Sequence, residues 1–132
     1  MCHLWNYRSD WSAACRPPRH IGEVSTRDPE GPGAVTDPRF IPDSQGDLWI
    51  WSMPDPRNPD DTEYIADRYL TIVDVGGRSD KADWSVILVI DRLPMLDGDR
   101  PAVVAQWRGH IDIDLLAWKA AQIAAFYDNS LL

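Results

Sequence analysis

Cysteine is scarce in this chain, and long apolar runs are absent from it. The two cysteines, Cys2 and Cys15, lie in a polar stretch without a secretory signal, so we do not expect a disulfide framework. Together with His3 and His20 they lack the close cysteine pair and the close histidine pair of common zinc sites. No apolar run approaches the roughly 20 residues that a membrane span needs. The sequence therefore predicts a soluble, cytoplasmic protein with no membrane partner.

Positive charge is also in short supply. The 132 residues include 13 Lys and Arg against 21 Asp and Glu, which gives a formal net charge of −8. Binding of nucleic acid by bulk electrostatics requires clustered Lys and Arg. A function on DNA would therefore need metal ions, or basic surface from another chain or from a missing segment. The chain also has no GxxxxGK[ST] loop, no GxSxG elbow and no HExxH pair, which excludes the site types that those motifs mark.

The first third of the chain is rich in Pro and Gly and has no sustained periodicity. The stretches "CRPPRH", "RDPEGPG" and "TDPRFIPDSQGD" are typical of turns, because Pro and Gly interrupt helices and strands. We predict an irregular leader or linker over residues 1–47. The short aromatic stretch "DLWIWSMP" at residues 47–54 is a strand candidate, and residues 48–132 are predicted to form the folded domain.

Three apolar runs after residue 64 have the composition of strands: residues 69–75, 84–90 and 102–107. The turn signal Asp97-Gly98 lies between the second and third. Because the links are short, we predict an antiparallel three-stranded meander.

A helix is predicted after the third strand. Asp112 or Asp114 can cap its start by accepting hydrogen bonds from unpaired backbone N–H groups. Apolar residues recur there at spacings of three and four and so share one face: Ile113, Leu116, Ala120, Ile123 and Tyr127. Residues 130–132 resemble the start of another strand, which predicts a truncated domain.

The main candidate site lies in the stretch "YLTIVDVGGRSDKADWSVILVID", where the first strand ends at Asp74 and Gly76 and Gly77 follow. A carboxylate there can bind a divalent metal ion together with acids from elsewhere in the fold. Alternatively, the glycine turn can let backbone N–H groups approach a nucleotide phosphate. The third possibility is a purely structural role, in which Asp74 stabilises the turn by accepting hydrogen bonds from the amides of the two glycines.

Neighbouring residues offer weaker candidates. Asp83 is a second candidate metal ligand, whereas Asp80 is expected to be solvated and Asp91 to be a turn residue. His110 can serve as an acid or base, although surface or capping roles are more common. Arg78 and Lys81 can contact phosphate. Three tryptophans are predicted to fill the core rather than to stack on nucleic-acid bases: Trp84, Trp107 and Trp118.

The order of elements resembles the first half of a ribonuclease H-like fold, and two families with that fold share the motif. "DVGGRSDK" resembles the first phosphate loop of the sugar-kinase, actin and heat-shock ATPase superfamily. The wider stretch is more similar to the C-terminal nuclease domain of phage terminase large subunits. This resemblance rests on "IVDVGG" at residues 72–77, "ADWSVILVIDR" at 82–92, "VVAQWRGHIDIDLLAWKAAQIAAFYDNSLL" at 103–132 and "GDLWIWSMPDP" at 46–56.

The terminase resemblance implies an α/β fold, a partial ribonuclease H-like domain in which Asp74 is the first metal-binding carboxylate. Asp83 would lie beside it, and Gly76 and Gly77 would keep the approach clear. The implied cofactor is Mg²⁺ or Mn²⁺, and the implied parent activity is endonucleolytic cleavage of concatemeric viral DNA in the bacterial host cytoplasm. Double-stranded DNA and other terminase or portal subunits are the implied partners.

The resemblance places the family's remaining acids after the helix, so this chain is expected to be inactive alone. A nucleotide-binding module of the kinase and actin-like superfamily, or a non-enzymatic remnant or interaction protein, is the alternative.

Overall fold

The computed structural model describes residues 16–55, 67–76, 81, 83–130 and 132. In this part the chain forms six strands and one α-helix: β1 (His20–Ser25), β2 (Arg39–Pro42), β3 (Leu48–Ile50), β4 (Tyr69–Asp74), β5 (Ser85–Asp91), β6 (Ala102–Gly109) and α1 (Ile113–Phe126). Two short 3-10 helices, Gly31–Val35 and Leu93–Asp97, connect strands. None of the helices described is long and apolar enough to cross a membrane.

The strands form one open antiparallel sheet in the order β2-β1-β3-β6-β5-β4. The predicted meander is confirmed, because β4 pairs with β5 and β5 pairs with β6 before α1 begins. The predicted strand around residues 47–54 is β3, which pairs with the far side of β6. The fold is therefore mixed α/β, with a single α-helix at the C-terminal end of the described chain.

The prediction of an irregular segment up to residue 47 is wrong for β1 and β2. Gly22 and Val24 of β1 are buried, and β1 pairs with β2 on one side and β3 on the other. A side chain at Gly22 would collide with the carbonyl of Ile41, so glycine permits this close approach of two strands. Local composition failed here because strand pairing across the sheet outweighed weak local propensity.

The core lies between α1 and one face of the sheet. Strand side chains alternate between two faces, and in β5 the buried ones are Ser85, Ile87, Val89 and Asp91. From α1 the core receives Leu116, Ala120 and Ile123, and Tyr127 follows directly after the helix. These four confirm the predicted helix face. Ile113 does not, because it is 64% exposed in the first turn, before the residues of α1 that reach the core.

The alternate residues of the central strands lie on the opposite face. On β4 and β5 they are Leu70, Ile72, Val86, Leu88 and Ile90, which are half-buried except for exposed Ile72. Because β4 pairs with β5 and β5 with β6, three residues form a row across this face: Asp74, Val86 and Arg108. That row defines one end of the sheet, and the candidate site lies there.

Candidate functional site

Asp74 is the last residue of β4, and its side chain is exposed to solvent. Its cross-strand neighbour on β5 is Val86, and Val86 is paired in turn with Arg108 on β6. Neighbouring strands lie roughly 5 Å apart, so the backbones of Asp74 and Arg108 are separated by roughly 10 Å. A carboxylate, an apolar floor and a guanidinium thus line up at one end of the sheet. The sequence drew attention to Asp74 but not to Arg108, which only the strand register brings into the same row.

Gly76 is held against the strand that follows the loop. Its backbone N–H donates a hydrogen bond of 2.9 Å to Ser85 Oγ, and not to the carboxylate of Asp74. The prediction that Asp74 accepts a hydrogen bond from the Gly76 amide is therefore wrong. A side chain at Gly76 would also collide with the backbone carbonyls of Asp83 and Trp84. Glycine is required here because two backbone segments meet closely.

The second candidate ligand, Asp83, is exposed and lies in the segment that precedes β5. Three predicted loop residues, Gly77, Arg78 and Asp80, lie outside the described residues, as do Cys2, His3 and Cys15. Within the ranges that the structure describes, no group of three or more His, Cys, Asp and Glu residues could hold a metal ion. The described residues therefore offer carboxylate ligands at this end of the sheet but no assembled metal centre.

An aromatic and cationic cluster lies at the same end of the sheet. Trp84 is 48% exposed, so the prediction that it fills the core is wrong. Its ring lies 3.9 Å from that of His110, measured between centroids at an interplanar angle of 31°. The guanidinium carbon of Arg108 lies 4.4 Å from the centre of the same ring, a distance at which cations attract aromatic rings. His110, which the sequence offers as an acid or base or as a surface or capping residue, is half-buried and stacks on Trp84.

The other two tryptophans differ from Trp84. Trp107, on the core side of β6, is 3% exposed, which confirms its predicted core role, and Trp118 of α1 is half-buried. The reason is register: Trp107 pairs with buried Ile87 on the core face. Trp84 precedes β5 by one residue and falls on the opposite face.

The other end of the sheet carries a charged network that the sequence reading missed. Arg68 donates two hydrogen bonds of 2.8 Å to the carboxylate of Asp91 and a third of 2.8 Å to Asp55. Asp91 also accepts a hydrogen bond from the backbone N–H of Leu93. Burial alone would raise the pKa of Asp91, but the hydrogen bonds from Arg68 and Leu93 hold it below its usual value. Asp91 is thus an anchor between β4 and β5, and not only a turn residue.

Two tyrosines join this network to the core. The hydroxyl of Tyr69 accepts a hydrogen bond from the backbone N–H of Asp55, and Tyr127 donates one of 2.8 Å to the carbonyl of Ser52. Their rings are in edge contact, with centroids 5.2 Å apart. Burial raises the pKa of both phenols. Every polar group named here has a protein partner, which is the pattern of a structural network rather than a reactive one.

No protein-family model, curated protein or solved structure matches this chain. The candidate site therefore rests on its own geometry. One end of the sheet carries an exposed carboxylate, a guanidinium and a stacked aromatic pair. At the other end, one guanidinium is paired with two carboxylates.

Proposed function

We propose that the chain carries the β4–β5–β6–α1 part of a ribonuclease H-like nuclease domain related to phage terminase large subunits. The observation that carries the proposal is the position of Asp74. It is an exposed carboxylate at the end of the first strand of an antiparallel meander, and a helix that packs on the same sheet follows that meander. Three of the four sequence motifs that resemble the terminase family fall on these same elements, and the fourth, at residues 46–56, includes β3.

Arg108 adds a second support. It lies in the row of Asp74 across the face opposite the core, and it also contacts the ring of Trp84. A guanidinium matches the geometry of a phosphate group and is a common phosphate contact. We propose that Arg108 contacts the DNA backbone near Asp74. Since the chain carries a net charge of −8, further cationic surface must come from metal ions or from partner subunits.

The implied metal ion is Mg²⁺ or Mn²⁺, and the described residues do not suffice to hold it in a catalytic arrangement. Two-metal hydrolysis needs several carboxylates around ions that lie roughly 4 Å apart. Asp74 and Asp83 are the two candidate ligands, and neither belongs to a three-residue ligand group in the described ranges. This chain is therefore proposed to bind such ions weakly and not to cleave DNA on its own.

The wider assignment follows from the same proposal. The partners would be double-stranded DNA and other terminase or portal subunits, and the compartment would be the cytoplasm of a bacterial host. The nucleotide-binding alternative is less favoured, because the N–H of Gly76, which would have to face a phosphate, is already bonded to Ser85.

Titration with Mn²⁺, followed by paramagnetic broadening of backbone amide signals, tests the proposed role of Asp74. In the wild-type protein we expect broadening centred on residues 73–76 and 83–86. The variant Asp74→Asn should lose it, and Asp99→Asn, which removes an exposed acid elsewhere, should retain it. Broadening that is unchanged in Asp74→Asn would contradict the metal role.

Two further measurements separate the candidate functions. We expect no cleavage of double-stranded DNA by this chain in Mn²⁺. Micromolar, Mg²⁺-dependent binding of ATP would instead favour the nucleotide-binding alternative and overturn the nuclease assignment.

A further inference from the structure

Trp84 lies at the same end of the sheet as Asp74, and its indole ring is held in place although much of it is exposed. The residue directly precedes β5 and is 48% exposed. Exposure alone would mean little, because single apolar residues are common on protein surfaces. This ring, however, is also fixed by the ring of His110, 3.9 Å away between centroids, and by the guanidinium of Arg108 at 4.4 Å. An exposed ring that is already ordered loses little conformational entropy when a ligand binds to it.

Both of these contacts reach the indole from the side of β6. Arg108 belongs to β6, and His110 follows its last residue, Gly109. Because Ser85 of β5 pairs with Gly109, the same register continued by one residue places Trp84 opposite His110. β5 lies between β6 and β4, so the other side of the indole is turned toward β4.

The neighbour of Trp84 on the side of β4 is a glycine. Asp74 pairs with Val86, and this register continued by two residues places Gly76 opposite Trp84. The two backbones do meet there, because a side chain at Gly76 would collide with the backbone of Trp84. Since glycine has no side chain, Gly76 does not cover the indole face toward β4, in agreement with the 48% exposure of Trp84. Asp74 is a diagonal neighbour of Trp84 across the same strands, at a distance of roughly 7–8 Å.

The indole face toward β4 suits a nucleobase. Every base has a flat π-face that stacks on aromatic side chains, whatever the sequence. Inside a duplex the neighbouring base pairs cover both faces of each base, so only an unpaired base can stack on Trp84. Stacking needs no positive charge, which is scarce in a chain with a net charge of −8. A guanidinium such as that of Arg108 can add a contact to the phosphate of the stacked nucleotide.

We propose that Trp84 stacks on an unpaired base of single-stranded DNA and thereby holds that nucleotide beside Asp74. His110 and Arg108 position the indole, and Gly76 leaves room for the base. The proposal rests on the proposed function, because it takes DNA as the ligand. It adds the form of the DNA that this end of the sheet binds, which is an unpaired strand.

Fluorescence anisotropy of a labelled oligo(dT) tests the proposal, with Mg²⁺ present to offset the acidic charge of the protein. The wild-type protein should bind the oligonucleotide, and Trp84→Leu should weaken binding at least about fivefold, the lower end of what one stacked base contributes. Trp84→Phe should bind more tightly than Trp84→Leu, because a phenyl ring also stacks. Leu115→Ala is the matched control: Leu115 is also 48% exposed but lies on α1, so its loss should leave the affinity unchanged.

Competition distinguishes an unpaired base from the DNA backbone. Unlabelled oligo(dT) should displace the labelled oligonucleotide, whereas relaxed circular duplex at the same nucleotide concentration, which has no free base faces, should displace much less. The indole N–H NMR signal of Trp84, assigned by its loss in Trp84→Phe, should shift when oligo(dT) is added. Equal affinity of the wild type and Trp84→Leu, equal displacement by the circular duplex, or absence of oligo(dT) binding would overturn the proposal.

The Mn²⁺ titration described above keeps this proposal separate from the metal role of Asp74. Trp84→Leu should retain the broadening centred on residues 73–76, because it removes no carboxylate. Broadening there without any effect of Trp84 on oligo(dT) binding would overturn the stacking and leave the metal role standing. Oligo(dT) binding that depends on Trp84, without broadening near Asp74, would support the stacking and contradict the metal role.

Discussion

The backbone N–H of Gly76 donates a hydrogen bond to the hydroxyl of Ser85, which closes the end of the β4–β5 pair beside Asp74. Ser85 is fully buried, so no water can replace its hydroxyl without a rearrangement. Removing one partner of such a bond leaves a buried polar group without compensation. This hydrogen bond therefore holds the end of β4, which carries Asp74, against the start of β5.

Ser85→Ala should lower the free energy of unfolding by about 1–3 kcal/mol, because the Gly76 N–H loses its acceptor. Urea denaturation monitored by circular dichroism measures the change. Ser25→Ala, at an exposed serine of β1, is the control and should have little effect. Equal stability of the Ser85→Ala variant and the wild type would contradict the assigned role of the hydroxyl.

Substitution of the glycine itself should be more severe. Gly76→Ala forces a methyl group into the carbonyls of Asp83 and Trp84, which are backbone atoms and cannot rotate away. We expect displacement of the loop and a larger loss of stability than in Ser85→Ala. Amide chemical shifts of residues 83–86 would report the displacement, and unchanged shifts would contradict it.

Asp91 should make the stability of the fold sensitive to acid. Its pKa is lowered in the folded state, so the stabilisation from its ionised form is complete above the unfolded-state value of about 3.9 and is lost as the pH falls through the folded value. Asp91→Asn should cost about 2–4 kcal/mol at neutral pH, because Arg68 loses a largely buried charge partner. Below about pH 4 the gap between the variant and the wild type should narrow.

Urea midpoints measured from pH 2.5 to pH 7 test this pH dependence. Asp28→Asn is the control, since Asp28 is exposed and lies 3.7 Å from exposed Arg27. Exposed pairs contribute at most about 1 kcal/mol. A gap between Asp91→Asn and the wild type that stays constant over the whole range would contradict the linkage.

Tyr127 should make the fold sensitive to alkali. Burial raises the pKa of its phenol, so the folded state retains the proton at pH values where the unfolded chain, with a pKa of about 10, loses it. Stability from the neutral phenol is therefore complete below about pH 10 and declines above it. Tyr127→Phe should lower the free energy of unfolding by about 1 kcal/mol at pH 7, because the hydrogen bond to Ser52 is lost. Between pH 9 and pH 11 the stability of this variant should decline less than that of the wild type. Parallel curves for the two proteins over that interval would contradict this assignment.

The local sequence predicts the C-terminal half of the fold well, because each element there carries its own signal. The runs that became β4, β5 and β6 are β-branched and apolar, and the spacing of Leu116, Ala120 and Ile123 marks the buried face of α1. The N-terminal strands have no such signal. Residues 20–25 read "HIGEVS", and their strand conformation comes from pairing with β2 and β3.

The candidate site was predictable only in part, for a related reason. Asp74 is marked by its place at the end of an apolar run, which needs only local sequence. Arg108 and His110 reach the site through the register of β6 on β5. The stack of Trp84 on His110 requires the Trp84 side chain to lie on the face opposite the core, and a one-residue shift of the strand register would move it to the core face. Asp91 was read as a turn residue because its partner, Arg68, lies 23 positions earlier in the chain.

The seam between β3 and β6 has a consequence for the order in which this sheet assembles. Leu48 meets Trp107 and Ile50 meets Ala105, so the contact joins residues 55 to 59 positions apart, whereas β4, β5 and β6 join through short links. Closing a long loop costs more entropy and slows the search for the pairing. We expect the meander and α1 to form a nucleus onto which the three N-terminal strands are added later, so refolding kinetics should be governed by that late zippering step.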